Sequence, residues 1–278
     1  MILVDYSGVA IAGIMAQIRG FDGLNEDLVR HFILNSLRSY RSRFHRNYGE
    51  LVICCDGRRS WRRDYYPYYK AKRRESKTTS AFDWAALFNA MDVVKQELLE
   101  KFPYAIVQVD RAEADDVMAV LAKKLPGPHL VVSNDRDLVQ LQNVADIFAP
   151  LKNKKVAEVQ DLREHVLLHI LKGDSTDGIP NVLSDDDTFV NPDKRQKPMR
   201  QNRIAELTNS MEDEEILRNY KRNETLIDLD CIPEDIADKI VVSYKDAEAS
   251  SKAKSRADLV NFFMEKKLRN LFDAIGDF

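Results

Sequence analysis

Cysteine is scarce and unpatterned: there are three in 278 residues, with Cys54 and Cys55 adjacent inside an apolar run and Cys231 far from both. That odd count and spacing exclude a disulfide framework and offer no C-x-x-C metal motif, so a reducing compartment is expected. Histidine numbers only five, and His165 and His169, four apart, enclose Val166-Leu167-Leu168 without the glutamate of a zincin. Packing or surface roles are expected for both. Long hydrophobic runs are missing as well, none reaching the roughly 18 residues of a membrane span. Met1 leads straight into Ile2-Leu3-Val4 without a basic n-region or cleavage site, so a cytoplasmic protein without a membrane role is expected. The sequence also lacks a G-x-x-x-x-G-K-[ST] loop and a G-x-S-x-G elbow. Nucleotide triphosphatase and serine hydrolase readings thereby lose their main support.

What is present is a folded-protein composition, 44% hydrophobic and 31% charged, in a chain long enough for one large domain or two smaller ones. The net charge of −3 conceals an asymmetry. Residues 58–77 hold nine Lys or Arg against Asp64 and Glu75, a net of +7 that leaves −10 for the rest. A basic stripe beside an acidic remainder calls for two separate explanations.

Four apolar runs each precede a carboxylate: Ile2-Leu3-Val4 before Asp5, residues 51–55 before Asp56, 105–109 before Asp110, and 130–132 before Asp135. Helical patterns lie between them, at 26–46, after Ser80 (read as N-cap, with Asp83 three residues on) and at 112–125. Continuous apolar strands alternating with helices predict an α/β fold with a mostly parallel central sheet flanked by helices. From about Asp161 the pattern becomes helical, at 162–172, 203–208, 212–220, 236–244 and 257–272. Two polar stretches, 184–202 and 245–256, read as loops, the first mobile. The expected domains are 1–160, with 58–80 as a distinct region, and 161–278.

Strand ends of a parallel sheet are where ligands collect. The acids to explain are Asp5, Asp56, Glu113, Asp115, Asp116, Asp135, Asp137, Asp174 and Asp177. Glu113 and Asp116 begin a helix three residues apart, where acids also simply complement the macrodipole. The conjunction matters more, because a like-charged pair about 4 Å apart costs roughly 4 kcal/mol at an effective dielectric near 20. A hard divalent cation removes that penalty, and an all-oxygen donor set favours Mg²⁺ or Mn²⁺ over zinc. So many carboxylates exceed the needs of one Mg²⁺ and suit a two-metal phosphodiesterase.

The stripe reads RRSWRRDYYPYYKAKRRESK. Arg58, Arg59, Arg62, Arg63, Lys70, Lys72, Arg73 and Arg74 offer cations for phosphates, while Trp61, Tyr65, Tyr66, Tyr68 and Tyr69 offer rings for stacking bases. The other reading of each ring is packing on the domain; both stay open.

Together these motifs resemble the 5'-nuclease superfamily, which includes flap endonucleases, the 5' to 3' exonuclease domain of bacterial DNA polymerase I and the T-even phage ribonuclease H branch. The likeness rests on LVDYS, ICCDG, AEADDVMAVLAKK, VVSNDRDLVQL and LKGDSTDGIPN, and on Trp61-Arg62 followed by Tyr69-Lys70-Ala71-Lys72-Arg73, close to an F-R-x7-Y-K-x-x-R arch signature. HFILNS, WRRD and LIDLDCIPEDIA extend it toward the phage branch. The resemblance implies a PIN-like nuclease domain with a helical arch at about 58–80, and an all-helical C-terminal domain with a helix-turn-helix-type duplex-binding element. It implies two Mg²⁺, replaceable by Mn²⁺. The first would be held by Asp5, Asp56, Glu113 and the Asp115-Asp116 pair, the second by Asp115, Asp135, Asp137 and, partly through water, Asp174 and Asp177. Arg62, Lys70 and Arg73 would steer the scissile phosphate and the 5' strand.

Implied substrates are RNA-DNA hybrid, duplex DNA, and flap and fork DNA, and the implied role is primer removal in phage replication, in the host cytoplasm. Single-stranded DNA-binding protein and a sliding clamp are the implied partners of a monomer. Two departures stand out. Gly178 replaces the family's Asn, and Ile179-Pro180-Asn181-Val182-Leu183 runs into Asp185-Asp186-Asp187 where the family has a glycine-rich, potassium-binding loop. Potassium is therefore not expected, and Lys194, Arg195, Lys197 and Arg200 are expected to hold the duplex instead. The chain starting at its first strand leaves no leading clamp-binding tail, and residues 271–278 read as a packed helix end in preference to a docking segment. Two alternatives remain: a PIN-like single-strand ribonuclease, which needs neither stripe nor helical half, and a non-catalytic DNA-end-binding module, against which the intact acids argue.

Overall fold

The computed structural model describes residues 1–17, 25–73, 75 and 82–278. The chain forms two compact units: Met1–Arg58 with Phe82–Ala157 and Glu234–Phe278, and Arg59–Ala81 with Glu158–Pro233. The first unit holds a six-stranded sheet of β1 (Ile2–Asp5), β2 (Leu51–Cys55), β3 (Ala105–Gln108), β4 (Leu130–Val132), β5 (Asp146–Ala149) and β6 (Lys154–Lys155). Its order is β3-β2-β1-β4-β5-β6, parallel throughout except for the β5–β6 edge. Strand order reverses between β1 and β4, the switch point at which the carboxyl ends of such sheets open a crevice.

The four expected strands are present, and their continuous apolar character follows from burial on both faces: Ile2, Leu3 and Val4 are completely buried and β2 is buried along its length. Alternate residues Ile2, Val4, Leu51, Ile53 and Cys55 pack in one cluster with α1 (Tyr6–Gln17), α2 (Glu26–Tyr48) and α4 (Trp84–Lys101). Toward the other face, α5 (Ala114–Lys124) packs on β1 and β2, and α9 (Glu234–Lys252) on β3 and α5. Asp83 is itself the N-cap of α4, accepting from the Ala86 N–H (2.8 Å); the cap expected at Ser80 lies outside the described residues.

By compactness, the stretch 161–278 is shared between the two units. Helix α9, α10 (Arg256–Glu265) and α11 (Arg269–Phe272) belong to the sheet unit, because Leu259, Phe262, Phe263, Leu271 and Phe278 join the sheet's own apolar cluster. Phe278 lies 5.6 Å from Phe102 and 5.2 Å from Phe263, ring centre to centre, so the chain end is packed. Of the loop expected over 245–256, residues 245–252 are instead the end of α9, with ties such as Lys252–Glu248 (3.1 Å) on its exposed face, and 253–255 form the short turn before the next helix.

The second unit contains α3 (Arg62–Tyr65), α6 (Leu162–Lys172), α7 (Gln201–Asn209) and α8 (Glu214–Ile227). The stripe's Arg59–Ala81 therefore groups with 158–233 and not with the sheet. Tyr66 and Tyr69 pack with Ile170, Ile179, Leu226 and Ile227. Among the described residues no helix is long and apolar enough to cross a membrane.

Candidate metal centre and phosphate-facing segment

Asp5 ends β1 just before α1 begins. Its Oδ1 accepts from the Gly8 N–H in the first turn (2.8 Å), and its Oδ2 accepts from the Ser133 hydroxyl (3.0 Å). The carboxylate lies so close over the helix that a Cβ on Gly8 would stand 2.1 Å from Oδ2, so any side chain there would displace the Asp5 carboxylate. Ser133 directly follows β4 and is buried; the same hydroxyl accepts from the Asp135 N–H (3.1 Å), and Asp135 Oδ1 accepts from the Asp137 N–H (2.9 Å). One buried hydroxyl thus joins the β1 and β4 acids. It was not singled out from the sequence as a site residue, although a Ser two residues before an acid at a strand end is a recognisable turn-former.

Asp56 follows β2, with its Oδ1 accepting from the Ala114 N–H at the start of α5 (3.0 Å). Gly57 brings the two segments together: its N–H donates to Ala112 O (2.8 Å), and a Cβ there would lie 2.2 Å from Val109 O. At the N-terminus of α5, Glu113 and Asp116 form a reciprocal capping box, with the Glu113 N–H on Asp116 Oδ2 (2.9 Å). Helix capping, the bland reading of this motif, is therefore true of Asp116, which is completely buried, while Asp115 and Glu113 are half-buried beside it.

These placements have an electrostatic cost. Burial first, then the neighbouring Asp56 and Asp135 carboxylates, push Asp5 up to about 6 against the opposing pull of the Gly8 and Ser133 bonds. A buried acid whose charge is disfavoured by its carboxylate neighbours at a sheet switch point suits a hard divalent cation, and Asp5, Asp56, Glu113, Asp115, Asp116, Asp135 and Asp137 supply oxygen donors only.

In the second unit, Asp174 Oδ1 accepts from the Thr176 (2.6 Å) and Asp177 (3.2 Å) N–H groups, and His169 Nε2 stands 3.7 Å from Asp174 Oδ2. Burial opposes charge on Asp174, but His169 and the two backbone donors outweigh it and hold the carboxyl at about 2. His169, expected to have a packing or surface role, thus stands beside a specific acid. Asp177 is engaged with the stripe: its Oδ2 accepts from the Tyr69 hydroxyl (3.0 Å) and lies 3.5 Å from Lys70 Nζ, and its Oδ1 lies 3.6 Å from Arg73.

The stripe itself sorts into two populations. Trp61, Tyr66 and Tyr69 are buried, so the packing reading applies to them, whereas Tyr65 and Tyr68 are exposed. Arg62 is corrected: it is 3% exposed, lies over the Trp61 ring and donates from Nε to Leu226 O (2.9 Å), bracing α8 where a phosphate contact was expected. Arg58 is exposed, Arg59 pairs with Asp64 (2.6 Å), Arg63 is half-buried, and Lys72 lies over the Phe189 ring. Arg74 falls outside the described residues.

The 184–202 segment carries its own ties: Lys194 sits between Asp185 (2.8 Å) and Asp187 (2.6 Å), the Asn181 amide donates to Lys197 O (2.7 Å), and the Lys197 N–H donates to Ser184 Oγ (2.9 Å). Lys194 is thus committed within the loop, while Arg195, Lys197 and Arg200 are exposed.

Residues 2–166 match the family described as 5'-3' exonuclease, N-terminal resolvase-like domain, and residues 162–278 match T4 RNase H, C terminal. The chain belongs to the 5'-3' exonuclease family. It is accordingly a nuclease. It is 32% identical over 293 residues to ribonuclease H of Enterobacteria phage T4, covering 99% of this chain and 95% of that one. It is 29% identical to a 5'-3' exonuclease of Streptomyces coelicolor over 62% of this chain and 63% of that protein. In fold it is similar to the phage T5 5'-exonuclease with bound zinc (TM-score 0.62, 16% identity, 90% of this chain and 99% of that one). A phage T5 flap endonuclease complex with DNA and metal ions gives a TM-score of 0.61 at 20% identity, over 90% of this chain and 98% of that one.

Proposed function

We propose that this chain is a Mg²⁺-dependent, structure-specific 5' to 3' nuclease. It removes RNA primers from RNA-DNA hybrids during phage DNA replication, degrades duplex DNA from 5' ends and cuts flap and fork DNA. The observation that carries the reading is the convergence of Asp5, Asp56 and Asp135 at the sheet switch point, where Asp5 is pushed up to about 6 by burial and by the other two acids. The phage T4 relative's name supports a hybrid substrate, and the phage T5 complex supports flap DNA.

Asp5, Asp56, Glu113, Asp115, Asp116, Asp135 and Asp137 would hold two Mg²⁺, with Mn²⁺ as a substitute. Bound there, the ions supply an activated water and charge stabilisation of an in-line phosphodiester displacement. The protein's share is orientation: Gly8 and Ser133 fix both Asp5 oxygens, and the α5 N-terminus fixes Asp56. Lys70 and Arg73 attract the substrate phosphates, and exposed Arg195, Lys197 and Arg200 hold the duplex backbone. The protein acts as a monomer in the host cytoplasm, alongside single-stranded DNA-binding protein and a sliding clamp.

The test is cleavage of a 5'-labelled flap substrate beside an RNA-DNA hybrid, with Mg²⁺ or EDTA and with Asp135→Ala as control. Short 5' products and released flaps that vanish with EDTA and in the variant are expected. Tight, salt-sensitive binding without cleavage would replace the reading with a DNA-end-binding module.

A further inference from the structure

Gly178, directly after Asp177, marks the place where this sequence leaves the family pattern, and the structure gives that departure a physical setting. The Asp174–Gly178 turn is short and closed, with the Ile179 N–H on Asp174 O (2.7 Å). Gly178 has φ +76°, and a Cβ there would meet Tyr68 O at 3.1 Å. A side chain at 178 would be strained by its own backbone and would also push against the basic segment. Glycine therefore permits the 66–73 segment to lie directly on the turn.

The contact is built from several independent groups. The Lys70 N–H donates to Asp177 O (2.7 Å), and Lys70 holds φ +53°, a left-handed conformation that needs outside support. The Tyr66 hydroxyl donates to Gly178 O (3.3 Å), and the buried Tyr69 hydroxyl to Asp177 Oδ2 (3.0 Å). Lys70 Nζ lies 3.5 Å from the same carboxylate and 4.9 Å from the Tyr69 ring centre, and Arg73 lies 3.6 Å from the other oxygen. Asp177 thus meets the basic segment through its backbone carbonyl and both side-chain oxygens. On the far side, α8 holds the chain after the turn: the Asn223 amide donates to Ile170 O (2.8 Å) and Pro180 O (2.9 Å), and Arg222 donates to Pro180 O (2.9 Å). The anchor point is itself anchored.

From this geometry we propose that Asp177 is a positioning residue, which fixes Tyr69, Lys70 and Arg73 for the substrate phosphate and is not a metal ligand. One carboxylate against two cations leaves a net positive charge, so the anchor sets the direction of Lys70 and Arg73 without cancelling their attraction for phosphate. The inference rests on the nuclease reading above for its substrate, but its two structural tests do not depend on cleavage.

Asp177→Asn keeps an acceptor for Tyr69 and removes the charge that holds Lys70 and Arg73. In the full chain, calorimetric titration with Mn²⁺ is expected to give an affinity within about two-fold of the unmodified protein, where Asp135→Asn loses at least about ten-fold. Hydrogen exchange in a peptide covering 66–73 is expected to speed up at least about ten-fold. On the flap substrate, kcat should fall about 10- to 100-fold, the scale of misplacing a charged group by roughly 1 Å. Adding Asp177→Asn to Lys70→Ala should cost little beyond Lys70→Ala alone. Tyr69→Phe should reproduce the exchange effect in part. A loss of Mn²⁺ affinity equal to that of Asp135→Asn, with unchanged exchange at 66–73 or a cost fully additive to Lys70→Ala, would overturn the proposal. An unmodified chain that fails to cleave would overturn the nuclease reading alone, with exchange and calorimetry still deciding the anchor.

Discussion

Replacing Asp5 with Asn should make the metal-free protein more stable while removing its response to divalent cations. Asp5 has its pKa raised from 3.8 to about 6, chiefly by burial and then by Asp56 and Asp135. At about 1.36 kcal/mol per unit, holding it ionised in the native state costs about 3 kcal/mol. The sign follows from the direction of the shift: the cost is absent below about pH 4, where both states are protonated, grows between about 4 and 6, and is complete above 6. Asn preserves an acceptor for the Gly8 N–H and can donate to Ser133 Oγ, but it forfeits the charge-assisted part of two bonds, about 1 kcal/mol or more. The net gain is about 1–2 kcal/mol at pH 7.5, or a few degrees in Tm at roughly 2–4 °C per kcal/mol for a chain of this size. Thermal and urea unfolding in EDTA at pH 7.5 and pH 4, repeated with Mg²⁺, would measure it. The advantage should disappear at pH 4, and only the unmodified protein should gain stability from Mg²⁺. An Asn variant that is no more stable in EDTA at pH 7.5, or whose advantage persists at pH 4, would refute the electrostatic argument.

Other perturbations probe neighbouring parts of the same argument. Gly8→Ala places a Cβ 2.1 Å from Asp5 Oδ2, so it should abolish most Mg²⁺-induced stabilisation, measured by the Tm shift with and without the ion. Ser133→Ala removes the hydroxyl that joins Asp5 to the Asp135 turn and should weaken Mn²⁺ affinity about ten-fold by calorimetry, with Ser133→Thr recovering part of it. Phe278→Ala should cost about 3 kcal/mol in urea unfolding, because the ring is buried against Phe102 and Phe263. Arg30→Ala should cost a similar amount, about 3 kcal/mol, since the 1%-exposed guanidinium pairs with Glu97, Glu26 and Asp27, and its loss leaves Glu97 with Lys266 as its remaining cation.

The strands that were legible are those buried on both faces, because burial forces a continuous apolar run: β1, β2, β3 and β4 all read that way. The missed elements lack that signature. In β5, Asp146 opens the strand with an exposed residue, and β6 is two exposed lysines, so neither forms a run that stands out from a loop. Helix α1 is almost wholly apolar or small, YSGVAIAGIMAQ, which erases the alternation of faces that marks a helix in sequence. The end of α9 failed in the opposite sense: Lys245, Asp246, Glu248, Ser250 and Lys252 look like loop composition, yet they clothe a solvent-facing helix. Assignment of 234–278 to the sheet unit depends on Phe102 meeting Phe262, Phe263 and Phe278, contacts between residues too distant in sequence for any local pattern to reveal.

The site divides along the same line. Acids at strand ends were legible because the fold class dictates where strand ends go, and the hydrogen bonds of Asp5, Asp56 and Asp135 follow from those positions. Ser133 and His169 were not singled out, because each matters through one partner brought close by folding. The basic stripe was legible only as composition. Its nine cations and five rings look alike in sequence, yet folding separates a buried set, Trp61, Arg62, Tyr66 and Tyr69, from a set that retains exposed charge, including Lys72 and Arg73. On the proposed function, that separation would turn a general affinity for polyanions into a directed one, because buried rings fix the backbone from which the cations project. Lys70 stands at the boundary, its backbone N–H and Nζ both facing Asp177. A cation held in this way loses little rotamer freedom when a phosphate arrives, and pre-organisation of that kind contributes to rate and not only to affinity.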